Sequence, residues 1–276
     1  MTEARSPASS IDGAAAAALM EPLTELVRLA GTAILAIDRA GMRIDRKADD
    51  SPVTQADLAA DRIIADGLAR LVPGVPVVSE ERLYSAKPPY RGSFFLIDPL
   101  DGTKEFLAGR DEFTVNLALV THNAPLIGII GAPALAQIWR GLVGRGAERL
   151  KDAGAAPEPI HTRSIGSPGE SWVAAVSRSH GDSRTEAFIA ARPGAIRKAL
   201  GSAVKFGRVA EGEADIYPRL APTSEWDIAA GHALVTAAGG AVTDAQGAPI
   251  QFGRGNANFL VPEFIAWGDP SAARPR

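Results

Sequence analysis

The sequence predicts an α/β protein, either one large domain or two lobes sharing a cleft, and three observations carry that reading. A chain of 276 residues buries a sizeable core without covalent staples. Two segments with helical spacing of apolar residues lie in its first quarter, ahead of a series of strand-like runs joined by short Gly, Pro or Asn connectors. From Trp172 onward, strand and helix patterns alternate, which suggests a small α/β lobe.

Residues 1–12 are small and polar and are expected to fray. From Leu19, apolar residues recur at Leu23, Leu26, Val27, Ala30, Ala33, Ile34 and Ile37, one face of a helix that Gly41 ends. A polar connector, 42–50, leads to Ser51-Pro52. Thr54-x-x-Asp57 has the form of a capping box and opens a second helix, with Leu58, Ile64, Leu68 and Leu71 on its apolar face. Strands follow at 75–79 and 94–97, then at 113–120, 126–132 and 137–143, the last three as antiparallel neighbours. The Gly-, Ala- and Pro-rich stretch 144–168 is the expected boundary between lobes. Beyond it come strands at 172–177, 195–200, 214–217 and 241–243. Helices fill the gaps at 184–191, from Gly201-Ser202 to about Glu211, and from Ser224 to Ala238. The expected organisation is a flexible 1–12, an N-terminal metal-binding lobe 13–150, a C-terminal lobe 151–268 and a loose tail 269–276.

Composition excludes several chemistries. Lys and Arg number 29 against 32 Asp and Glu, a net charge of −3, so there is no general basic field for nucleic acid. The absence of cysteine removes disulfides, thiolate nucleophiles and Cys-zinc sites, and the four histidines are scattered. No apolar run is long enough to span a bilayer, and acidic Glu3 and Asp12 precede the short Ala-rich stretch 14–20 where a secretory signal wants basic residues. The expected location is the cytoplasm, with or without peripheral contact with the inner membrane.

Chemistry is therefore left to carboxylates, hydroxyls and basic side chains. Asp57 and Asp227 each sit in the first turn of a helix, Glu80 and Glu81 at a strand end, and Asp98 and Asp101 around the turn Asp98-Pro-Leu-Asp101-Gly102. Singly, each has a plain explanation: capping acids, a solvated pair, a common turn dipeptide. Together, at strand ends and helix starts that meet in an α/β cleft, they repel one another unless a hard divalent cation neutralises them. Oxygen ligation without His or Cys suits Mg²⁺, and the amides at helix starts favour a phosphate.

These motifs identify a resemblance. Val78-Ser-Glu-Glu81, Asp98-Pro-Leu-Asp-Gly-Thr-Lys-Glu-Phe106 and Trp226-Asp-x-Ala-Ala-Gly-His232, with Ser51-Pro-Val-Thr-x-Ala-Asp57, Ser177-Arg-Ser-His180 and Gly201-Ser-x-x-Lys205 between and around them, resemble the inositol monophosphatase superfamily. The likeness is greatest to its CysQ-type branch, the 3′(2′),5′-bisphosphate nucleotidases, and covers roughly Leu23 to Phe259. The resemblance implies a layered αβαβα sandwich and an Mg²⁺-dependent, Li⁺-sensitive phosphatase with two to three ions per site. It implies that Glu80, Asp98, the Leu100 carbonyl, Asp101 and Asp227 bind metal, and that Asp57 and Thr103 manage the attacking water. The Gly102 and Thr103 amides would take phosphate oxygens, and Glu81 would act through water. It further implies removal of the 3′-phosphate of adenosine 3′,5′-bisphosphate, by a monomer or homodimer.

Specificity must rest outside the metal set. Lys104-Glu105 stands where simple inositol phosphatases of the superfamily usually carry Thr-Asn. Lys205 and Arg219, with help from Arg178, offer charge to a second phosphate, and Ser177, Ser179 and His180 offer contacts to ribose or adenine. Each of these has the plain alternative of solvated surface. The rival readings are an inositol phosphate or fructose 1,6-bisphosphate phosphatase and, from a different class, a non-catalytic nucleotide- or sugar-phosphate-binding protein.

Overall fold

The computed structural model describes residues 10–39, 44–46, 52–85, 88–90, 92–151, 156–164, 171–178, 181–192, 194–254 and 259–273. Its first half is built on a long antiparallel sheet. Helix α1 (Gly13–Leu35) starts earlier than its apolar face suggests, because Asp12 caps it and accepts from the amides of Ala14 and Ala15 at 2.9 and 2.8 Å. Residues read as a polar connector contribute β1 (Ile44–Arg46), which pairs with β2 (Pro52–Thr54). Helix α2 (Gln55–Leu71) and strand β3 (Val77–Ser79) lead to β4 (Phe94–Asp101) and the one-turn α3 (Thr103–Leu107). Strands β5 (Thr114–Thr121), β6 (Ala124–Ala132), β7 (Gln137–Leu142), β8 (Gly146–Lys151) and β9 (Glu158–Ile160) complete a seven-stranded sheet in sequence order. Only its β3–β4 pair is parallel.

Strands β8 and β9 lie within the 144–168 stretch read as the boundary between lobes. The sheet runs on past residue 150, the position read as a lobe boundary, and ends at Ile160. These half-exposed strands, Gly-Ala-Glu-Arg-Leu-Lys and Glu-Pro-Ile, are charge-rich and carry little apolar alternation to betray them.

The second half forms a five-stranded mixed sheet. It comprises β10 (Val173–Ser177), α4 (Ser183–Ala190), β11 (Ile196–Leu200), α5 (Val204–Ala210) and β12 (Ile216–Arg219). A two-residue β13 (Thr223–Ser224) opens α6 (Glu225–Ala237), followed by β14 (Ala241–Thr243), β15 (Leu260–Val261) and β16 (Phe264–Trp267). The strand order is β11-β10-β12-β16-β14, and β13 pairs separately with β15. Beyond Gly268 the described chain makes one turn, at Pro270–Ala273.

Strand periodicity sorts the layers. Phe95, Ile97, Leu117 and Leu119 face α1 and α2, packing on Val27, Ile34, Ile64 and Leu68. Their neighbours Phe94, Leu96, Ala118 and Val120 face the other way, onto Phe206 of α5 and Ile228 and Leu234 of α6. The second sheet covers α5 and α6 through Tyr217 and Phe264, and its far face packs Ile216 and Ile265 against Ile189 of α4. The result is the layered αβαβα sandwich, with each fully buried large side chain contributing roughly 1.5–3 kcal/mol. Helix α6 lies so close to the first sheet that a Cβ on Gly128 would sit 2.0 Å from the Ala230 carbonyl oxygen. Among the described residues, no helix is long and apolar enough to cross a membrane.

Candidate active site

The site begins with a break in a strand. Strand β4 pairs Asp98 with Asn116 and Asp101 with Thr114, so three steps on β4 match two on β5. Pro99 donates no ladder hydrogen bond, and the resulting bulge re-aims the side chains that follow. The Leu100 amide turns back onto Asp98 Oδ1 at 3.1 Å. Gly102 then adopts φ +88°, a left-handed conformation suited to glycine, and starts α3. The Asp98–Asp101 segment read as a turn at a strand end is thus a bulge inside a strand.

These residues form one wall of a cavity of about 320 Å³. Glu80, Asp98, Leu100, Asp101, Gly102 and Thr103 line it from the first half of the chain, and Ser177, Lys205, Arg219 and Asp227 from the second. Lys104 and Glu105 also line it, whereas Glu81 does not. Glu80 opens a 3-10 segment, Glu80–Ser85, directly after β3.

Asp57 and Asp227 do serve as capping acids, and both do more. The Thr54 amide and hydroxyl donate to Asp57 Oδ2 at 2.8 and 2.6 Å, and the Thr103 hydroxyl reaches Asp57 Oδ1 at 3.2 Å. Asp57 is buried and is joined to the cavity through Thr103 rather than lining it. The Ser224 amide donates to Asp227 Oδ2 at 3.1 Å, and the Thr223 hydroxyl donates to the same oxygen. Burial, then the charges of Asp101 and Glu80, push the Asp227 carboxyl up to about 7.

That mutual repulsion, on an oxygen-only donor set within one cavity, is what a hard divalent cation relieves, so the residues fit Mg²⁺. Among the described residues, no three carboxylates or imidazoles already stand together as a closed ligand cage.

The basic residues separate into different roles. Arg178 is outside the cavity lining; it pairs with Glu112 and donates to the Ala199 carbonyl at 3.1 Å. Lys205 is buried, and its ammonium donates to the Ser202 carbonyl at 2.5 Å and the Leu200 carbonyl at 3.4 Å. Burial pushes that ammonium down to about 8, against the pull of Asp101. Arg219 keeps its charge: burial opposes it, but Tyr217, Asp227 and Asp101 hold it protonated. Its buried Nε has no hydrogen-bond partner among the described residues. Ser179 and His180 lie outside the described residues.

Sequence reasoning missed Ser202 and Thr223 as supports of Asp101 and Asp227. The one available signal was their position, directly ahead of helix starts whose acids or lysines stood out. Trp226 does pack beneath its helix start, 6.1 Å from Phe259 between ring centroids.

The chain belongs to the inositol monophosphatase family, whose sequence pattern matches residues 15–269. Within that family it is 38% identical over 254 residues to the 3′(2′),5′-bisphosphate nucleotidase CysQ of Escherichia coli (strain K12), covering 89% of this chain and 98% of the relative. It is 39% identical over the same length and coverage to the enzyme of that name from Salmonella typhimurium. Among solved structures it resembles CysQ from Bacteroides thetaiotaomicron, with a TM-score of 0.74 and 32% identity over 91% of this chain and 97% of the other. The Thermotoga maritima IMPase shares the architecture at a TM-score of 0.71 and 27% identity, covering 90% and 91% of the two chains.

Proposed function

We propose that this chain is a 3′(2′),5′-bisphosphate nucleotidase that converts adenosine 3′,5′-bisphosphate and water to AMP and inorganic phosphate. The sulfated analogue, 3′-phosphoadenosine 5′-phosphosulfate, is the second candidate substrate. The observation that carries the reading is the cavity's two-sided chemistry. A carboxylate wall lines the same space as Arg219, a half-buried cation whose Nε has no partner among the described residues while its Nη2 donates to the Pro222 carbonyl at 3.4 Å. A substrate with a reacting and a remote phosphate satisfies both, and kinship with the CysQ nucleotidases supports it.

Glu80, Asp98, the Leu100 carbonyl, Asp101 and Asp227 would hold Mg²⁺, two to three ions in all. Bound there, Mg²⁺ supplies positive charge to the phosphoryl oxygens in the transition state. Water handling falls to Thr103 and Asp57. The single Thr103 proton has two acceptors at 3.2 Å, Asp57 Oδ1 and the Leu100 carbonyl, and the carboxylate is the stronger. With that proton turned to Asp57, the Thr103 oxygen accepts a hydrogen bond from a water beside it. As the water oxygen attacks phosphorus and the P–O3′ bond breaks, the water's proton passes to Thr103 and the threonine's own proton to Asp57. Solvent protonates the departing 3′ oxygen. The Gly102 and Thr103 amides would steady the phosphoryl group.

For the remote 5′-phosphate we favour Arg219 over Lys205, whose ammonium already braces the 200–202 turn, and over Arg178, which is bound to Glu112. A charge-assisted hydrogen bond from Arg219 is worth ~1.5–3 kcal/mol. The test is phosphate release from adenosine 3′,5′-bisphosphate, its sulfated analogue, inositol 1-phosphate and fructose 1,6-bisphosphate, each with Mg²⁺. Preference for the adenosine bisphosphates supports the reading; preference for inositol 1-phosphate or fructose 1,6-bisphosphate replaces it with the rival phosphatase, and no release from any replaces it with a binding role.

A further inference from the structure

Ser202 lies between β11 and α5, and its backbone is left-handed, with φ +50°. A residue with a side chain keeps that conformation only where its surroundings hold it. Here the holding contacts cross between the two halves of the chain. The Ser202 hydroxyl is 2.7 Å from Asp101 Oδ2, 3.1 Å from the Asp101 carbonyl and 2.5 Å from the hydroxyl of Thr114, a buried residue of β5. Ser202 has one proton, and the Asp101 carboxylate is its strongest acceptor; the single Thr114 proton is shared between Ser202 and the Asn116 side-chain oxygen, 2.9 Å away. The turn itself is clasped from both sides. The Lys205 ammonium donates to the Ser202 carbonyl, and the Gly201 amide donates to Glu112 at 3.0 Å. Gly201 is packed so tightly that a Cβ would sit 2.6 Å from the Glu112 carbonyl oxygen.

The bonds to the Asp101 side chain fall on one oxygen. Ser202 and, at 3.5 Å, the Asn116 amide both donate to Oδ2. Oδ1 receives no hydrogen bond among the described residues. We infer that Ser202 is a positioning residue: reaching from the second half of the chain, it fixes the plane of the Asp101 carboxylate so that Oδ1 is presented to a divalent cation. The inference rests on the metal-dependent reading above and adds to it a residue of the cavity wall that acts on the cation through Asp101.

The test is Mg²⁺ binding by calorimetry on wild type, Ser202→Gly and Ser202→Ala without substrate, alongside thermal melts and Mg²⁺ titrations of activity. Both variants delete the hydroxyl, but glycine relaxes the left-handed backbone and alanine does not, so the glycine variant should melt higher than the alanine variant. If the hydroxyl positions Asp101, both variants should bind Mg²⁺ about tenfold more weakly, the usual scale for losing the partner behind a ligand. Their turnover at saturating Mg²⁺ should return to within about threefold of wild type, since the ligand itself remains. Wild-type affinity in both variants, or affinity that follows the melting order, overturns the inference and leaves the functional reading intact. A wild-type protein that binds no divalent cation overturns the functional reading, and the inference with it.

Discussion

Asp57 and Thr103 stand 46 residues apart in the chain, yet the threonine hydroxyl donates to Asp57 Oδ1 at 3.2 Å while Thr54 holds the other carboxylate oxygen from behind. In the proposed mechanism a helix cap thereby becomes half of a proton path. Asp57 would not need to reach the substrate, because the threonine in front of it would.

Thr103→Val keeps the shape of the side chain and removes the hydroxyl. Turnover of adenosine 3′,5′-bisphosphate should fall by about 100-fold or more, the low end of what a positioned proton acceptor contributes. The melting temperature should barely move. Initial rates with saturating substrate and Mg²⁺ check this, and a loss confined to KM would remove Thr103 from the water path.

Arg219→Met should separate two substrates. On adenosine 3′,5′-bisphosphate, kcat/KM should drop ~10–100-fold, the equivalent of a hydrogen bond to a charged group. On 3′-AMP, which lacks the remote phosphate, it should drop far less. Equal losses on both would mean that Arg219 serves the reacting phosphate or the fold. Lys205→Met should depress both substrates alike, because the ammonium braces the turn that carries Ser202.

The cation-free protein should lose stability as pH rises from about 4 to about 7. Asp227 and Glu225, with ordinary values of 3.8 and 4.5, are both raised to about 7 in the fold, chiefly by burial. A raised carboxyl favours the protonated native state, so its contribution is whole below the ordinary value and is lost as pH passes the folded one. Buried His232, pushed down to about 4, works the opposite way over part of that range, so the check is paired melts in EDTA across pH 4–8, in which Asp227→Asn should lose less stability than wild type as pH rises. The same variant should melt higher than wild type at pH 8, at about 2–4 °C per kcal/mol for a protein of this size, while losing activity.

Chelation should abolish phosphate release, and Mg²⁺ should restore it. Ca²⁺ should compete without supporting turnover, because its larger, looser shell does not reproduce the octahedral geometry that Mg²⁺ demands. Rates in EDTA, then with each cation added back, test this; undiminished activity in EDTA would end the metal reading.

Gly128→Ala should be among the most damaging small substitutions. Its Cβ would fall 2.0 Å from the Ala230 carbonyl, which belongs to backbone and cannot swing aside. Overpacking of this kind costs ~1–3 kcal/mol or more. Gly13→Ala, with nothing within 4 Å, serves as the control and should melt at or slightly above wild type. Calorimetric melts of the pair settle it.

The parts of the site that were legible in the sequence are those built from local chemistry. Thr54-x-x-Asp57, Ser224-x-x-Asp227 and the Asp98–Thr103 segment announce themselves through caps, a proline and a left-handed glycine. The layer order came from family resemblance rather than from any pattern in the chain. What stayed hidden depended on distant partners. Nothing near Arg178 shows that Glu112, 66 residues away, takes its charge, and beyond its place ahead of a helix start nothing local marks Ser202 as left-handed or as a partner of Asp101. Strands β8 and β9 were hidden because their half-exposed, charge-rich residues lack apolar alternation.

The seating of α6 has a consequence for how the enzyme admits its substrate. This helix carries Asp227 at its first turn, yet along its length it is wedged against Gly128 and Gly141 of the first sheet at backbone distance. A clamshell whose halves swing apart would have to tear that seam. The carboxylate from the second half of the chain is therefore tied to the first sheet through the backbone of α6. A substrate arriving there should meet an Asp227 wall that is already set, so discrimination is expected to rest on fit at arrival rather than on a jaw closing afterward.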